Sequence, residues 1–253
     1  QMSGGAHVKR VRALHRRQER EAQGVFLVQG RKLIAELLAS GHELAELFAA
    51  EAVAREMNLP GARVVPAKDL ERMGTFEQGN EVVAVVRKPR PVRAATHGRE
   101  AFLLAVDGVS DPGNMGTLLR IADWFGAAQL WCSPESVEVW NPKCVQASMG
   151  SIFRVPVVYG DLGAALAEVA QHGAHVYKAE ASGANVFKEK LARPAVLVLG
   201  SESHGLSKTV REGPGRSIAI PAFGGAESLN VAAAAAALCM EFARQGGGRG
   251  QGA

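Results

Sequence analysis

The stretch FLLAVDGVSDPGNMGTLLRIADWFG, residues 102–126, decides the fold class of this chain. Its apolar run at 102–106 predicts a buried strand, and its amphipathic pattern at 116–126 predicts a helix. The glycines and the asparagine between them predict a tight turn, with Asn114 as the N-cap of the helix. A strand that runs through a short turn into a helix is the repeating unit of an α/β fold.

The same alternation continues towards the end of the chain. Further apolar runs predict strands at 128–132, near 155–158, and at 174–178, 195–199 and 217–220. Helical patterns separate most of these strands, for example at 161–172 and 205–212, and an alanine-rich helix is predicted at 228–244. Because such strands are buried on both faces, we expect a mostly parallel sheet covered by helices on both sides.

The chain before residue 100 has a different pattern. Short apolar runs predict strands at 25–28, 44–49, 63–65 and 82–86, and a helix is predicted at 31–39. The segment 87–100 contains two prolines and four arginines without periodicity, which is typical of a linker. We therefore expect a small α/β domain at 1–88, a linker at 89–100, a larger domain at 101–246 and a disordered, glycine-rich tail at 247–253.

Positive charge is concentrated in the first part of the chain. Residues 1–99 carry 17 Lys and Arg against 11 Asp and Glu, whereas residues 100–253 carry 12 against 14. The densest basic run, at 7–20, predicts contact with the phosphates of a nucleic acid. The alternative is a solvated amphipathic helix that buries Val8, Val11 and Leu14. The candidate nucleic-acid contacts are Lys9, Arg10, Arg12, Arg16, Arg17 and Arg31.

Several classes of protein and site are disfavoured by what the sequence lacks. No run of about 18 apolar residues is present, so we expect no membrane-spanning helix and no membrane partner. The cysteines (Cys132, Cys144 and Cys239) form no CxxC pair and the histidines have no metal-ligand spacing, which argues against disulfides and metal sites and for the cytoplasm. The chain also lacks a GxGxxG fingerprint, which argues against a small-molecule oxidoreductase, and a GxSxG nucleophile motif.

Three polar loops follow predicted strands of the larger domain. Their sequences are DGVSDPGNMG at 107–116, GSESHGLS at 200–207 and PAFGGAESLNVA at 221–232. Each loop alone has an ordinary explanation in turn and cap residues. Ligands of open α/β sheets bind at the carboxyl ends of the strands, so we expect the three loops to meet there and form a site.

Three motifs lie in these loops and in the helices after them. They are N-x-G-x-x-x-R (Asn114, Gly116, Arg120), G-x-E-x-x-G (Gly200, Glu202, Gly205) and I-P at 220–221 followed by S-L-N-V at 228–231. In order and spacing they resemble the motifs of the SpoU (TrmH) family of RNA ribose 2′-O-methyltransferases, within the SPOUT superfamily. The resemblance covers roughly residues 100–245, and residues 1–88 resemble, more weakly, the RNA-gripping substrate-binding domain that many members carry.

This resemblance implies a fold, a cofactor and a set of site residues. Members of the family tie the C-terminal part of the chain into a deep trefoil knot, bind S-adenosylmethionine there and form homodimers. The implied catalytic residues are Arg120, Asn114, Glu202, Ser228 and Asn230. The implied cofactor-binding residues are Ala179, Glu180, Leu199, Gly200, Gly205, Ile220 and Leu229. Arg120 either removes the ribose hydroxyl proton or, because a guanidinium normally stays protonated, stabilises charge on the oxygen.

The function that the resemblance implies is S-adenosylmethionine-dependent 2′-O-ribose methylation of a structured RNA. We expect ribosomal RNA before transfer RNA, because a separate basic domain suits a large structured target. The alternative is a non-catalytic RNA-binding or ribosome-assembly factor with a degenerate cofactor pocket, and the intact motif residues argue against it. Departures from the family pattern at Gln146, Ala222 and Ala232 concern the substrate and the shape of the pocket rather than the reaction.

Overall fold

The structure is a computed structural model that describes residues 4–76, 80–96 and 98–246. Contacts between residues divide the chain into two compact units. The first contains the residues up to Arg90 together with Glu138–Arg154, and the second contains Pro91–Val137 together with the residues from Val155 onward. Each unit has its own sheet and its own buried core.

The first unit is built on a four-stranded sheet. Its helices before residue 90 are α1 (Gly4–Ala13), α2 (Arg17–Gln23), α3 (Arg31–Ser40), α4 (Glu51–Glu56) and α5 (Ala67–Met73). Its strands are β1 (Val25–Gln29), β2 (Leu44–Ala49), β3 (Arg63–Val64) and β4 (Val82–Arg87), in the order β1-β4-β2-β3. Val8, Val11 and Leu14 are buried in its core, as the alternative interpretation of the basic segment expects, and contact of its charged residues with nucleic acid stays a prediction.

The second unit is built on a six-stranded sheet in which every pairing is parallel. Its strands are β5 (Phe102–Asp107), β6 (Leu130–Cys132), β7 (Val157–Tyr159), β8 (His175–Asn185), β9 (Ala195–Gly200) and β10 (Arg216–Ala219), in the order β10-β8-β9-β5-β6-β7. Its helices are α6 (Pro112–Trp124), α8 (Leu162–Gln171), α9 (Lys208–Glu212) and α10 (Val231–Gln245). The predicted α/β fold with a mostly parallel sheet is confirmed.

The start of α6 differs from the prediction. The helix begins at Pro112 rather than at residue 116, and its N-cap is Asp111 rather than Asn114. Asp111 Oδ1 accepts a hydrogen bond from the backbone N–H of Asn114 at 2.8 Å. Proline suits the first helical position, where its fixed φ fits and its missing N–H would have no partner, so Pro112 sets the start of the helix.

Other boundaries differ as well. α10 begins at Val231 rather than at Ser228, because Asn230 is the residue that caps it. The helix predicted at 205–212 is shorter, since a bridge between Ser201 and Gly205 holds the chain outside a helix until Ser207 caps α9. The strand predicted at 174–178 continues to Asn185, and it pairs with β10 at Tyr177 and Lys178 and, after a register shift, at Ala184 and Asn185.

The segment 138–154, which includes α7 (Pro142–Ala147), belongs by its contacts to the first unit. Arg20 of α2 is buried there, and its Nε donates to Glu138 Oε1 at 2.8 Å. The guanidinium also donates to two backbone carbonyl oxygens of the α1–α2 turn at 2.8 Å each. A buried arginine needs a buried partner, and Glu138 supplies it. The segment falls within the 101–246 domain expected from the sequence, whose bounds stay a prediction.

Part of the predicted linker is fixed to the second unit. Gln129 Nε2 donates to the backbone oxygen of Arg93, and Gln129 Oε1 accepts from the backbone N–H of Ala95. The predicted tail at 247–253 lies outside the described residues, and the trefoil knot stays a prediction. In the described ranges no helix is long and apolar enough to cross a membrane, and no group of three or more His, Cys, Asp or Glu side chains is placed to hold a metal ion.

Candidate active site

Side chains from two loops of the second unit and from the first turn of α6 meet at Glu202. Glu202 Oε1 accepts from Asn230 Nδ2 at 2.7 Å, from the backbone N–H of Val231 at 3.0 Å and from Asn114 Nδ2 at 3.3 Å. Asn230 Nδ2 also donates to Asn114 Oδ1 at 3.0 Å. We call Asn114, Glu202 and Asn230 the Glu202 cluster. It joins one residue from each of the three motifs at the carboxyl edge of the sheet.

Helix caps fix two members of the cluster. Asn230 Oδ1 accepts from the backbone N–H groups of Ala232 and Ala233 at 2.9 and 3.2 Å, while its amide nitrogen donates to Glu202. The Asn230 side chain therefore caps α10 with one end and holds the neighbouring loop with the other. Asn114 lies in the first turn of α6, and its backbone N–H donates a hydrogen bond to the capping residue Asp111.

The loop that carries Glu202 is held by close backbone packing. An added Cβ at Gly200 would lie 2.3 Å from the carbonyl carbon of Gly205, so only glycine fits there. Gly205 has φ +66°, and its backbone pairs with that of Ser201. The backbone N–H of Ser207 donates to Asp107 Oδ2 at 2.7 Å. The role of this buried Asp107 was not predicted from the sequence, where the only signal is a carboxylate that ends an apolar run.

Two of the predicted catalytic residues stand outside the Glu202 cluster. Arg120 lies on the exposed surface of α6, six residues after Asn114, which corresponds to about 9 Å along the helix axis. Ser228 lies in the exposed loop before α10. Within the described part of the chain neither side chain makes a hydrogen bond or an ion pair. The cluster therefore fixes the loops and leaves the Arg120 guanidinium open to a ligand.

The predicted cofactor-binding residues lie at the carboxyl ends of β9 and β10, in the loops that follow these strands, and in the middle of β8, where its pairing with β9 ends. Ala179 of β8 and Leu199 of β9 are paired in register. Ile220 directly follows β10, and Leu229, which is 52% exposed, lies near the end of the next loop. Uncharged backbone at strand ends beside an exposed apolar side chain fits an adenosyl group. Glu180 differs from the others, because Ser217 Oγ and Arg211 Nε already bind its two oxygens.

The predicted RNA-binding residues are less free than the sequence indicates. Arg16 pairs with Glu19 at 3.4 Å and Arg17 with Glu21 at 2.6 Å. The hydrogen bond from Arg17 lowers the pKa of Glu21. Arg10 pairs with Glu46, and Arg31 pairs with Glu56 and with Glu81. Lys9 and Arg12 are exposed, and among the described residues neither has a carboxylate partner.

Comparisons with known proteins cover both units. The model of the SpoU rRNA Methylase family matches residues 101–240, and that of the MRM3-like substrate binding domain matches residues 6–88. The chain is 31% identical over 242 residues to the Bacillus subtilis 23S rRNA (guanosine(2553)-2′-O)-methyltransferase RlmP, covering 91% of this chain and 93% of that one.

Two solved structures are similar over nearly the whole chain. One is the SpoU methyltransferase AviRb from Streptomyces viridochromogenes in complex with AdoMet, with 30% identity and a TM-score of 0.85 over 95% of this chain and 97% of that one. The other is an AdoMet-bound rRNA methyltransferase from Sinorhizobium meliloti, with 28% identity and a TM-score of 0.82 over 94% of each chain.

Proposed function

The chain belongs to the SpoU rRNA methylase family, and from that premise we propose that it is an RNA 2′-O-methyltransferase that uses S-adenosylmethionine. The observation that carries the proposal is the Glu202 cluster, since it places residues of the three family motifs in mutual hydrogen-bond contact. Relatives named as 23S rRNA 2′-O-methyltransferases and structures bound to AdoMet support the same reaction and the same methyl donor.

The reaction is an in-line displacement, in which the ribose oxygen bonds to the methyl carbon while the bond from that carbon to sulfur breaks. S-adenosylmethionine supplies a methyl group already activated by the sulfonium, so the chain has to position the hydroxyl and stabilise it as it loses its proton. Arg120 can bind a neighbouring phosphate and stabilise negative charge on the ribose oxygen. Asn114, Glu202 and Asn230 hold the surrounding loops, and Ser228 adds a hydroxyl in the exposed loop before α10.

The methyl donor lies at the carboxyl ends of β9 and β10 and beside the middle of β8, at Ala179. The residues that hold it are Ala179, Leu199, Gly200, Gly205, Ile220 and Leu229, through backbone groups and short apolar side chains. Glu180 does not contact the donor directly, because its two carboxylate oxygens already bind Ser217 and Arg211. It holds the residues around the site. The match of two AdoMet-bound structures to this chain supports the placement.

The RNA substrate contacts both units. In the first unit the exposed Lys9 and Arg12 contact the phosphates directly. Four further arginines leave their carboxylate partners to bind phosphates: Arg10, Arg16, Arg17 and Arg31. In the second unit Phe223, which is 90% exposed in the loop between β10 and α10, offers a face on which an unpaired base stacks. Ribosomal RNA is the favoured substrate over transfer RNA, because the match to the Bacillus subtilis 23S rRNA enzyme spans both units.

The active enzyme is a homodimer in the cytoplasm. α6 and α10 pack against each other, and their outer faces expose Trp124 (84%) and Met240 (65%). Ala233 and Ala237 are exposed one turn apart on the side of α10 that carries Met240. An exposed apolar surface of this kind is typical of a protein interface, and a second copy of the chain is the partner that covers it. The cysteines are free and buried, as suits a reducing compartment.

The Arg120→Ala variant tests the reaction. We expect it to lower methyl transfer to RNA about hundredfold or more and to leave the dissociation constant for S-adenosylmethionine unchanged, because the guanidinium acts on the ribose rather than on the donor. Transfer is measured with labelled S-adenosylmethionine and total RNA from cells that lack the protein, followed by mapping of 2′-O-methyl positions. The matched control is Arg55→Ala, which removes an exposed arginine paired with Glu51 in the first unit.

Two outcomes would contradict this proposal. Wild-type rates in the Arg120→Ala variant would remove Arg120 from the reaction. A wild-type chain that binds RNA but gives no heat of binding with S-adenosylmethionine in calorimetry would instead be a non-catalytic RNA-binding protein.

A further inference from the structure

Arg211, at the end of α9, connects the loop of Glu202 to the neighbouring strand. Its Nη2 donates to the backbone oxygen of Leu206 at 2.9 Å, and its Nε lies 3.3 Å from Glu180 Oε1 of β8. The side chain reaches both partners at once because the guanidinium is a planar fork with donors on separate nitrogens. None of the three motifs contains this arginine.

The connection continues across the sheet. The second oxygen of Glu180 accepts a hydrogen bond from Ser217 Oγ of β10. Since the sheet order is β10-β8-β9, one chain of contacts runs from Ser217 through Glu180 and Arg211 to Leu206, in the loop after β9. These are the three neighbouring elements beside which we place the methyl donor.

The helix that carries Arg211 is itself anchored to β8. Lys178, which is 4% exposed, donates from Nζ to the backbone oxygens of Arg211 and Gly213 at 2.9 and 3.2 Å. The backbone position from which the guanidinium projects is therefore fixed. The guanidinium at the end of the Arg211 side chain lies beside the turn at Gly205. A Cβ added to Gly205 would be 3.8 Å from Arg211 Nη2.

We propose that Arg211 is a positioning residue for S-adenosylmethionine, which holds the 200–206 loop and the middle of β8 at the separation that the methyl donor requires. Glu180 is its anchor. This inference rests on the proposed function, because it concerns the donor site of the same reaction. The Arg211 side chain is 55% exposed, and an ion pair exposed to that degree contributes little to folding stability, so its loss changes the shape of the site more than the stability of the fold.

The test is calorimetry of S-adenosylmethionine binding to the full chain. We expect Arg211→Ala to weaken binding about tenfold, with a melting temperature within about 2 °C of the wild type and unchanged RNA affinity. Arg211→Lys keeps the charge, but one ammonium does not reach both Leu206 and Glu180, so it restores only part of the affinity. Because Glu180 acts through Arg211, the Glu180→Gln and Arg211→Ala changes combined weaken binding no further than Arg211→Ala alone.

Lys208→Ala is the matched control. It removes a cation from the same helix, and Lys208 pairs with Glu212 on the solvent side at 3.9 Å. Its affinity for S-adenosylmethionine stays at the wild-type value. Equal affinities in the wild type and Arg211→Ala, full recovery by Arg211→Lys, or additive losses in the double variant would each overturn the positioning role alone. Failure of the wild type to bind S-adenosylmethionine would contradict the proposed function itself.

Discussion

At Gly200 the backbone passes so close to Gly205 and Leu206 that there is room for a hydrogen atom and nothing larger. The close approach lets the chain turn back directly after β9 and present Glu202 to Asn114 and Asn230. The glycine is thus required by packing against backbone atoms, which cannot rotate away as a flexible side chain can. The motif in the sequence identifies this glycine, but only the structure shows which atoms exclude a side chain.

We expect Gly200→Ala to lower the free energy of unfolding by about 1–3 kcal/mol, the usual cost of forcing one additional methyl group into a packed site. Binding of S-adenosylmethionine should weaken with it, since the loop has to move. Urea titration followed by circular dichroism measures the first effect. Gly160→Ala is the control, because an added Cβ there meets no atom within 4 Å. Equal unfolding midpoints for the two variants would show that the 200–206 loop adapts without cost.

At the level of helices and strands, apolar runs predict strands better than cap residues predict helix starts. The buried strands β5 and β9 lie within one residue of their predicted bounds, because continuous burial on both faces leaves an unbroken apolar run. The starts of α6 and α10 were misplaced because Asp, Asn and Ser are all competent caps. At α6, Pro112 occupies the first helical position, so the residue before it, Asp111, is the cap. At α10, the capping residue Asn230 also donates to Glu202, which is distant in the sequence.

The two roles of Asn230 can be separated by substitution. Asn230→Ser keeps an oxygen that can cap α10 but removes the amide that donates to Glu202, whereas Asn230→Ala removes both. We expect Asn230→Ala to be less stable than Asn230→Ser by about 1 kcal/mol, the ordinary contribution of an N-cap. Unfolding in urea measures the difference. Identical stabilities of the Asn230→Ser and Asn230→Ala variants would mean that a capping oxygen at position 230 does not stabilise α10.

At the scale of the whole molecule, contacts between residues far apart in the chain are what the sequence leaves undetermined. The parallel sheet and the three loops at its carboxyl edge follow from the order of strands and helices. The pairing of Arg20 with Glu138 and the link from Arg211 to Glu180 do not, because 118 residues separate the first pair and the second is an arginine without any motif. The motif residues indicate the reaction. Only the three-dimensional structure shows which side chains fix the positions of the loops around the site.

Two buried cysteines of the second unit report on its global opening. Cys132 lies in β6 and Cys239 in α10, and burial raises the pKa of each thiol from 9.0 to about 12. The thiolate is the form that alkylates, so at pH 8 its population in the folded chain is about a thousandfold below that of an exposed thiol. We expect iodoacetamide to label both residues slowly in buffer and rapidly in urea, with a rate in buffer that increases with pH. Mass spectrometry of the labelled peptides over time measures this. Labelling of the folded chain at nearly the urea rate would show that the core around β6 and α10 opens far more often than its packing indicates.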